Sequence, residues 1–163
     1  MAKKIAKTNA ARMLDKEKVH YKLLHYNTED GKVDGVSVAA KIGFAAELVY
    51  KTLVAIGVSK QGYVFVIPVA EELDLKKAAK AAGEKKIEMA PVKDILALTG
   101  YVRGGCSPVG MKKPFPTFIS AEAEQLAEMI VSAGKMGMQL KLDPMELLAV
   151  TNGQFAELTA PSQ

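Results

Sequence analysis

Tyr63-Val-Phe-Val-Ile-Pro-Val69 is the run on which the fold turns. Tyr63, Phe65 and Ile67 alternate with Val64 and Val66, so both faces of an extended segment are apolar. A strand of that kind belongs in the interior of a sheet covered on each side. Upstream, Leu48-Val-Tyr-Lys-Thr-Leu-Val-Ala-Ile56 is a second strand-like run, and Val19 to Tyr26 alternates as a half-buried strand. Downstream, Thr117–Ser120, Glu128–Ser132 and Met138–Leu142 read as further strands.

Helical segments lie between them. Residues 3 to 16 place Ala6, Ala10, Met13 and Leu14 on one face. Ser37 can cap a short helix through Ile42 that Gly43 ends. Asp74 is the expected N-cap of a helix carrying Leu75, Ala78, Ala79 and Ala82, with Gly83 as its stop. Pro91 suits the first position of a short helix closed by Gly100, and Asp143-Pro144 opens a last helix with Met145, Leu147, Leu148 and Val150. The polar end at Pro161-Ser-Gln163 is expected to fray. No internal repeat, low-complexity tract or linker interrupts the pattern, so the expected fold class is α/β in one domain spanning 1–163.

Bulk properties agree without naming an activity. The 163 residues, 49% hydrophobic, suffice for one sizeable core. The 22 basic and 18 acidic side chains leave a formal charge of +4, a mild excess compatible with a polyanionic partner. Cys106 is the only cysteine, which excludes an internal disulfide or thiolate cluster and fits a reducing compartment. The basic start, Met1-Ala-Lys-Lys-Ile-Ala-Lys7, has no apolar run behind it, and nothing approaches a membrane span. A cytoplasmic location is therefore expected.

Chemistry concentrates in Gly100-Tyr-Val-Arg-Gly-Gly-Cys-Ser-Pro-Val-Gly-Met-Lys-Lys-Pro-Phe-Pro116. Its glycines let main-chain N–H groups approach an anion or a developing oxyanion, with Arg103, Lys112 and Lys113 to add charge; an ordered loop with turn glycines is the bland alternative. Met111 stands where a phosphate-binding loop needs lysine, which argues against ATP hydrolysis. His20 and His25 fall on opposite strand faces and make poor joint metal ligands, so no metal and no cofactor are expected. Lys51 shares a strand face with Val49 and Leu53; it either meets an anionic substrate or guards an edge strand against aggregation. Cys106 lacks a nearby base and makes a poor nucleophile. Ser132 either positions a substrate or serves the turn that follows it.

Five blocks in order carry a resemblance: Lys7-Thr-Asn-Ala-Ala-Arg-Met-Leu-Asp15, Val49-Tyr-Lys-Thr-Leu53, Lys76-Lys-Ala-Ala-Lys80, Gly100 through Lys113, and Val131-Ser-Ala-Gly-Lys135. Together they resemble the YbaK/EbsC family of aminoacyl-tRNA editing proteins. The resemblance implies a single domain with a mixed, partly closed, barrel-like β-sheet surrounded by helices. It also implies an enzyme that releases cysteine from mischarged Cys-tRNA(Pro), an error that binding alone excludes poorly.

On that resemblance the family's functional lysine falls on Lys51, its tyrosine on Tyr26, its glycine loop on Gly104, Gly105 and Ser107, and its late serine on Ser132; Thr52 belongs to the lysine block. Ala133 stands where a second glycine is expected. The implied mechanism is attack by the substrate's own thiol, with backbone amides at Gly104 to Ser107 facing the oxyanion, Gly105 foremost. The implied partners are mischarged tRNA(Pro) and prolyl-tRNA synthetase, with neither DNA nor membrane. An alanine-specific deacylase of the same superfamily and a noncatalytic tRNA-binding module are the alternatives.

Overall fold

The computed structural model describes residues 7–160. Helix α1 spans Asn9–Lys16 and begins after Thr8, whose hydroxyl accepts from the Ala11 N–H. The helix expected from residue 3 is thus shorter: Lys7 and Thr8 are outside it, and residues 3 to 6 lie outside the described residues. The expected fraying at 161–163 also falls outside them.

Strand β1 (Tyr21–His25) leads to α2 (Gly35–Ile42). The cap of α2 is Asp34 rather than Ser37: the Asp34 carboxylate accepts from both the Ser37 N–H and its hydroxyl. Then come β2 (Tyr50–Gly57), β3 (Gly62–Pro68), β4 (Glu72–Leu73) and α3 (Leu75–Ala82). Helix α3 is capped by Asp74 and stopped by left-handed Gly83, as its sequence predicts. After β5 (Ile87–Met89), Pro91 is the N-cap of a 3-10 turn that runs into α4 (Ile95–Thr99), one place ahead of the expected first helical position. The chain finishes with β6 (Thr117–Ser120), β7 (Met129–Ser132), β8 (Met138–Leu142), α5 (Pro144–Thr151), β9 (Gln154–Ala156) and β10 (Thr159–Ala160).

The strands form a mixed five-stranded sheet, β5-β2-β3-β6-β9, a three-stranded antiparallel sheet, β1-β8-β7, and the short β10-β4 ribbon. In the large sheet β2 runs antiparallel to β3 and β5, whereas β3-β6 and β6-β9 are parallel. A parallel bridge between Val49 and Ile130 joins the two larger sheets, so the structure is partly closed.

All seven residues of β3 are buried, because each face meets a different layer. Val64 and Val66 pack with Tyr50, Ile119, Met129, Val131, Leu140 and Leu14 in the core between the sheets. Phe65 and Ile67 face the other way, toward Ala78 and Ala79 of α3, and Phe65 stacks on Phe118 at 5.5 Å. Burying a side chain of this size contributes about 1.5–3 kcal/mol, so the doubly apolar pattern of β3 ties both layers to one strand.

Candidate functional site

The site begins with the hydrogen-bonding phase of β2. Val49 O accepts from the Val69 N–H, Gly57 N–H donates to Gln61 O, and Ala90 N–H donates to Val54 O. Odd-numbered residues of β2 therefore turn their N–H and C=O toward β3, and even-numbered ones turn theirs the other way. On that second side β5 pairs only with residues 55 to 57. The N–H and C=O of Thr52 consequently face a gap with no ladder partner among the described residues. The Thr52 hydroxyl and the Tyr50 hydroxyl are also buried without a hydrogen-bond partner. Burial of unpaired polar groups costs about 1–3 kcal/mol each, which marks the place as one built to meet a ligand.

Two cavities flank that gap. The first, of about 320 Å³, is polar and includes Tyr26, Asp34, Tyr50, Lys51, Ser132 and Gln139 in its wall. The second, of about 280 Å³, is lined mainly by Val54, Met89, Ala90, Val92 and Ile95. Thr52, Leu53, Arg103, Gly104 and Cys106 border both, so the two chambers form one cleft with Thr52 and the glycine loop at its junction.

The structure gathers Tyr26, Lys51, Thr52, Gly104 and Ser132 around this cleft from four separate chain segments. Tyr26 follows β1, is held by its N–H to Gly137 O at 3.0 Å, and carries the Lys41 ammonium 5.9 Å from its ring centre. Lys51 is half-buried and forms no ion pair with any described residue. Because β2 is an interior strand of the large sheet, an edge-guard role for Lys51 loses its premise. Ser132 ends β7, and its hydroxyl accepts from the Gly134 N–H at 3.1 Å. Ala133 is fully buried without a positive φ, whereas Gly134 has φ 99°, so only the second of these positions needs glycine.

Gly105 and Ser107 do not line the cleft. The Gly105 N–H donates to Val102 O at 3.0 Å, so it is unavailable to an oxyanion. A Cβ on Gly105 would lie 3.1 Å from Met136 N and 3.2 Å from Lys135 Cα, on the turn between β7 and β8. Gly105 thus seats the loop against that turn, a correction to the expectation that its amide faces substrate. Ser107 is fully buried, and its hydroxyl accepts from the Val109 N–H. Gly104 and Cys106 are the loop residues at the cleft, and their N–H groups have no backbone acceptor among the described residues. Tyr101 anchors the loop from behind through its hydroxyl to Val109 O at 2.7 Å, and burial raises its pKa to about 12.

Burial also pushes the Cys106 thiol up to about 11, against a weaker opposing contact from Thr99. No histidine lines either chamber. Among the described residues no three metal-ligating side chains gather, and no helix is long and apolar enough to cross a membrane. Tyr50 and Gln139 are cleft residues that sequence reasoning missed: Tyr50 is 2% and Gln139 6% exposed, and their apolar neighbours in sequence make them look like core.

A mixed sheet that opens a polar cleft beside a glycine loop defines this protein as an aminoacyl-tRNA editing domain. Residues 31–150 match that family, and the chain belongs to it. More particularly, it is 52% identical over 161 residues, 98% of either chain, to an Enterococcus faecalis protein provisionally named Cys-tRNA(Pro)/Cys-tRNA(Cys) deacylase EbsC. Among solved structures it resembles a provisionally assigned trans-editing enzyme for prolyl tRNA synthetase, with TM-score 0.84 and 25% identity over 94% of this chain and 96% of that one. A hypothetical protein shares the fold at TM-score 0.86 and 20% identity, over 94% of this chain and 100% of its own.

Proposed function

We propose that this protein is a cytoplasmic trans-editing deacylase that frees cysteine from mischarged Cys-tRNA(Pro), with prolyl-tRNA synthetase as the enzyme whose errors it corrects. The observation that carries the reading is a cleft without a paired nucleophile and base. The Cys106 thiol is held neutral by burial, and the Ser132 hydroxyl already accepts a bond from the Gly134 N–H. The nucleophile then comes from the substrate. The cysteinyl thiol loses its proton, its sulfur bonds to the ester carbonyl carbon, and the bond from that carbon to the ribose oxygen breaks. The ribose oxygen leaves with a proton, and the four-membered thiolactone hydrolyses to cysteine.

The protein contributes geometry and electrostatics. The N–H groups of Gly104 and Cys106 receive the developing oxyanion, and Lys51 anchors the acceptor end by charge. Tyr26, Thr52 and Ser132 orient the aminoacyl ester, while Gly105 and Ser107 hold the loop in place from behind. An alanine-specific deacylase would need an activated water, and no side chain lining the chambers is an evident base for one.

Single-turnover release from cysteinyl-, seryl- and alanyl-tRNA sharing one tRNA body tests the proposal. Cysteine should leave fastest by far, with a rate that rises with pH toward the thiol pKa of about 8.5. Equal rates for the cysteinyl and seryl esters, or alanine released as fast as cysteine, would refute self-attack.

A further inference from the structure

We infer that the apolar chamber beside the junction seats the terminal adenine base of the tRNA 3′ end. The inference rests on the deacylase reading and adds to it the site of the nucleoside. Thr52, Gly104 and Cys106 border both chambers, so an ester held by the open Thr52 backbone and the loop amides has one substituent on each side. The two substituents differ in chemistry. The aminoacyl group carries an ammonium and a thiol, and the chamber with Lys51, Asp34, Tyr26 and Gln139 offers charge and hydrogen bonds. The nucleoside presents the two apolar faces of a flat base, and the chamber with Val54, Met89, Val92 and Ile95 offers aliphatic and thioether walls.

Size argues the same way. A cavity of about 150 Å³ holds a benzene ring, so the 280 Å³ of the apolar chamber has room for a two-ring base. One cysteinyl side chain would leave most of that space empty. Exposure agrees: Met89 is 44% and Val92 57% exposed on the chamber wall, apolar surface that a bound base would cover. Arg103 stands at the boundary, where a planar guanidinium can stack on the base or meet the adjoining phosphate.

The test compares the cysteinyl ester of a short RNA acceptor ending in adenosine with the same ester on an acceptor whose terminal ribose lacks a base. For the wild-type protein, loss of the base should raise KM on the order of tenfold, the effect of one stacked base, with kcat changed far less. Ile95→Phe, which fills the chamber, should shrink that KM ratio to within about twofold. Thermal melting checks its fold. Should Ile95→Phe fail to fold, Val92→Ser at an exposed position carries the comparison and should reduce the ratio by about half or more.

A wild-type enzyme indifferent to the base would overturn the inference, as would a folded Ile95→Phe that keeps the full ratio. A variant that changes only the preference for cysteinyl over seryl esters would place the amino acid there instead, which also overturns it. Failure of the wild-type protein to release cysteine from the adenosine-ended ester would sink the deacylase reading itself. Release that ignores the base sinks this inference alone.

Discussion

Gly105→Val should disable the enzyme without unfolding it. Gly105 does not adopt a left-handed φ, so a valine backbone is not strained there; the obstacle is steric. The first added carbon would stand 3.1 Å from Met136 N, 3.2 Å from Lys135 Cα and 3.3 Å from Lys135 C, all main-chain atoms that cannot rotate aside. Relief requires the glycine loop and the β7–β8 turn to separate by a few tenths of an ångström for the Cβ, and by more for the two methyls. Ser132 rides on one of these segments, and the Gly104 and Cys106 amides ride on the other. A misplacement near 1 Å within a reacting constellation costs on the order of 100-fold in rate. Overpacking of this kind costs about 1–3 kcal/mol in stability, which most domains survive. Gly105→Ala, without the methyls, should fall between. Single-turnover cysteine release at saturating enzyme, set beside a thermal melt, reads both effects. A folded Gly105→Val within about twofold of the wild-type rate would refute the packing argument and the importance of the loop's placement together.

Two further outcomes follow from the same geometry. Lys51→Ala should lower deacylation on the order of 100-fold, the scale expected for a charge aimed at a reacting centre, while leaving the melting temperature near wild type; near-normal turnover would remove Lys51 from the site. The Cys106 thiol, with its pKa raised to about 11 by burial, is protonated at neutral pH, so its alkylation should be slow at pH 8 and still climbing beyond pH 10. A rate that levels off below pH 9, measured by mass spectrometry of the iodoacetamide adduct, would instead reveal an activated thiolate.

The legible parts of the fold were those where one residue has one job. Asp74 and Gly83 bracket α3, Asp143-Pro144 opens α5, and the doubly apolar β3 has a layer on each face, because caps and burial leave their mark in adjacent positions. Ser37 was mistaken for the α2 cap because Asp34 carries an equally suitable oxygen three residues earlier, and spacing does not choose between them. Strands β5, β9 and β10 are two or three residues long, too short for alternation to register. In the cleft, Lys51, Thr52, Tyr26 and Ser132 came through the family pattern. Glycines that face a ligand and glycines that face the protein look alike in sequence, so Gly104 and Gly105 were given the same role although only Gly104 reaches the cleft. The missing partner of the Tyr50 hydroxyl is a property of the packed sheets and has no trace along the chain.

A cleft that relies on the thiol of its substrate has an unusual economy of selection. It need not exclude serine or alanine by size, because neither brings a competent nucleophile, and a polar chamber of about 320 Å³ can stay open to solvent and exchange substrate freely. The same economy sets a limit. Cysteine correctly attached to its own tRNA presents the same ester, the same amino acid and the same terminal adenosine as cysteine attached to tRNA(Pro). Every atom that the two chambers can touch is therefore identical in the right and the wrong substrate. Discrimination between them must come from outside the cleft: from contacts with the acceptor stem, for which the loop cations Arg103, Lys112 and Lys113 stand nearest in sequence, or from a synthetase that presents only tRNA(Pro). Chemistry selects the amino acid here, and it carries no information about the tRNA.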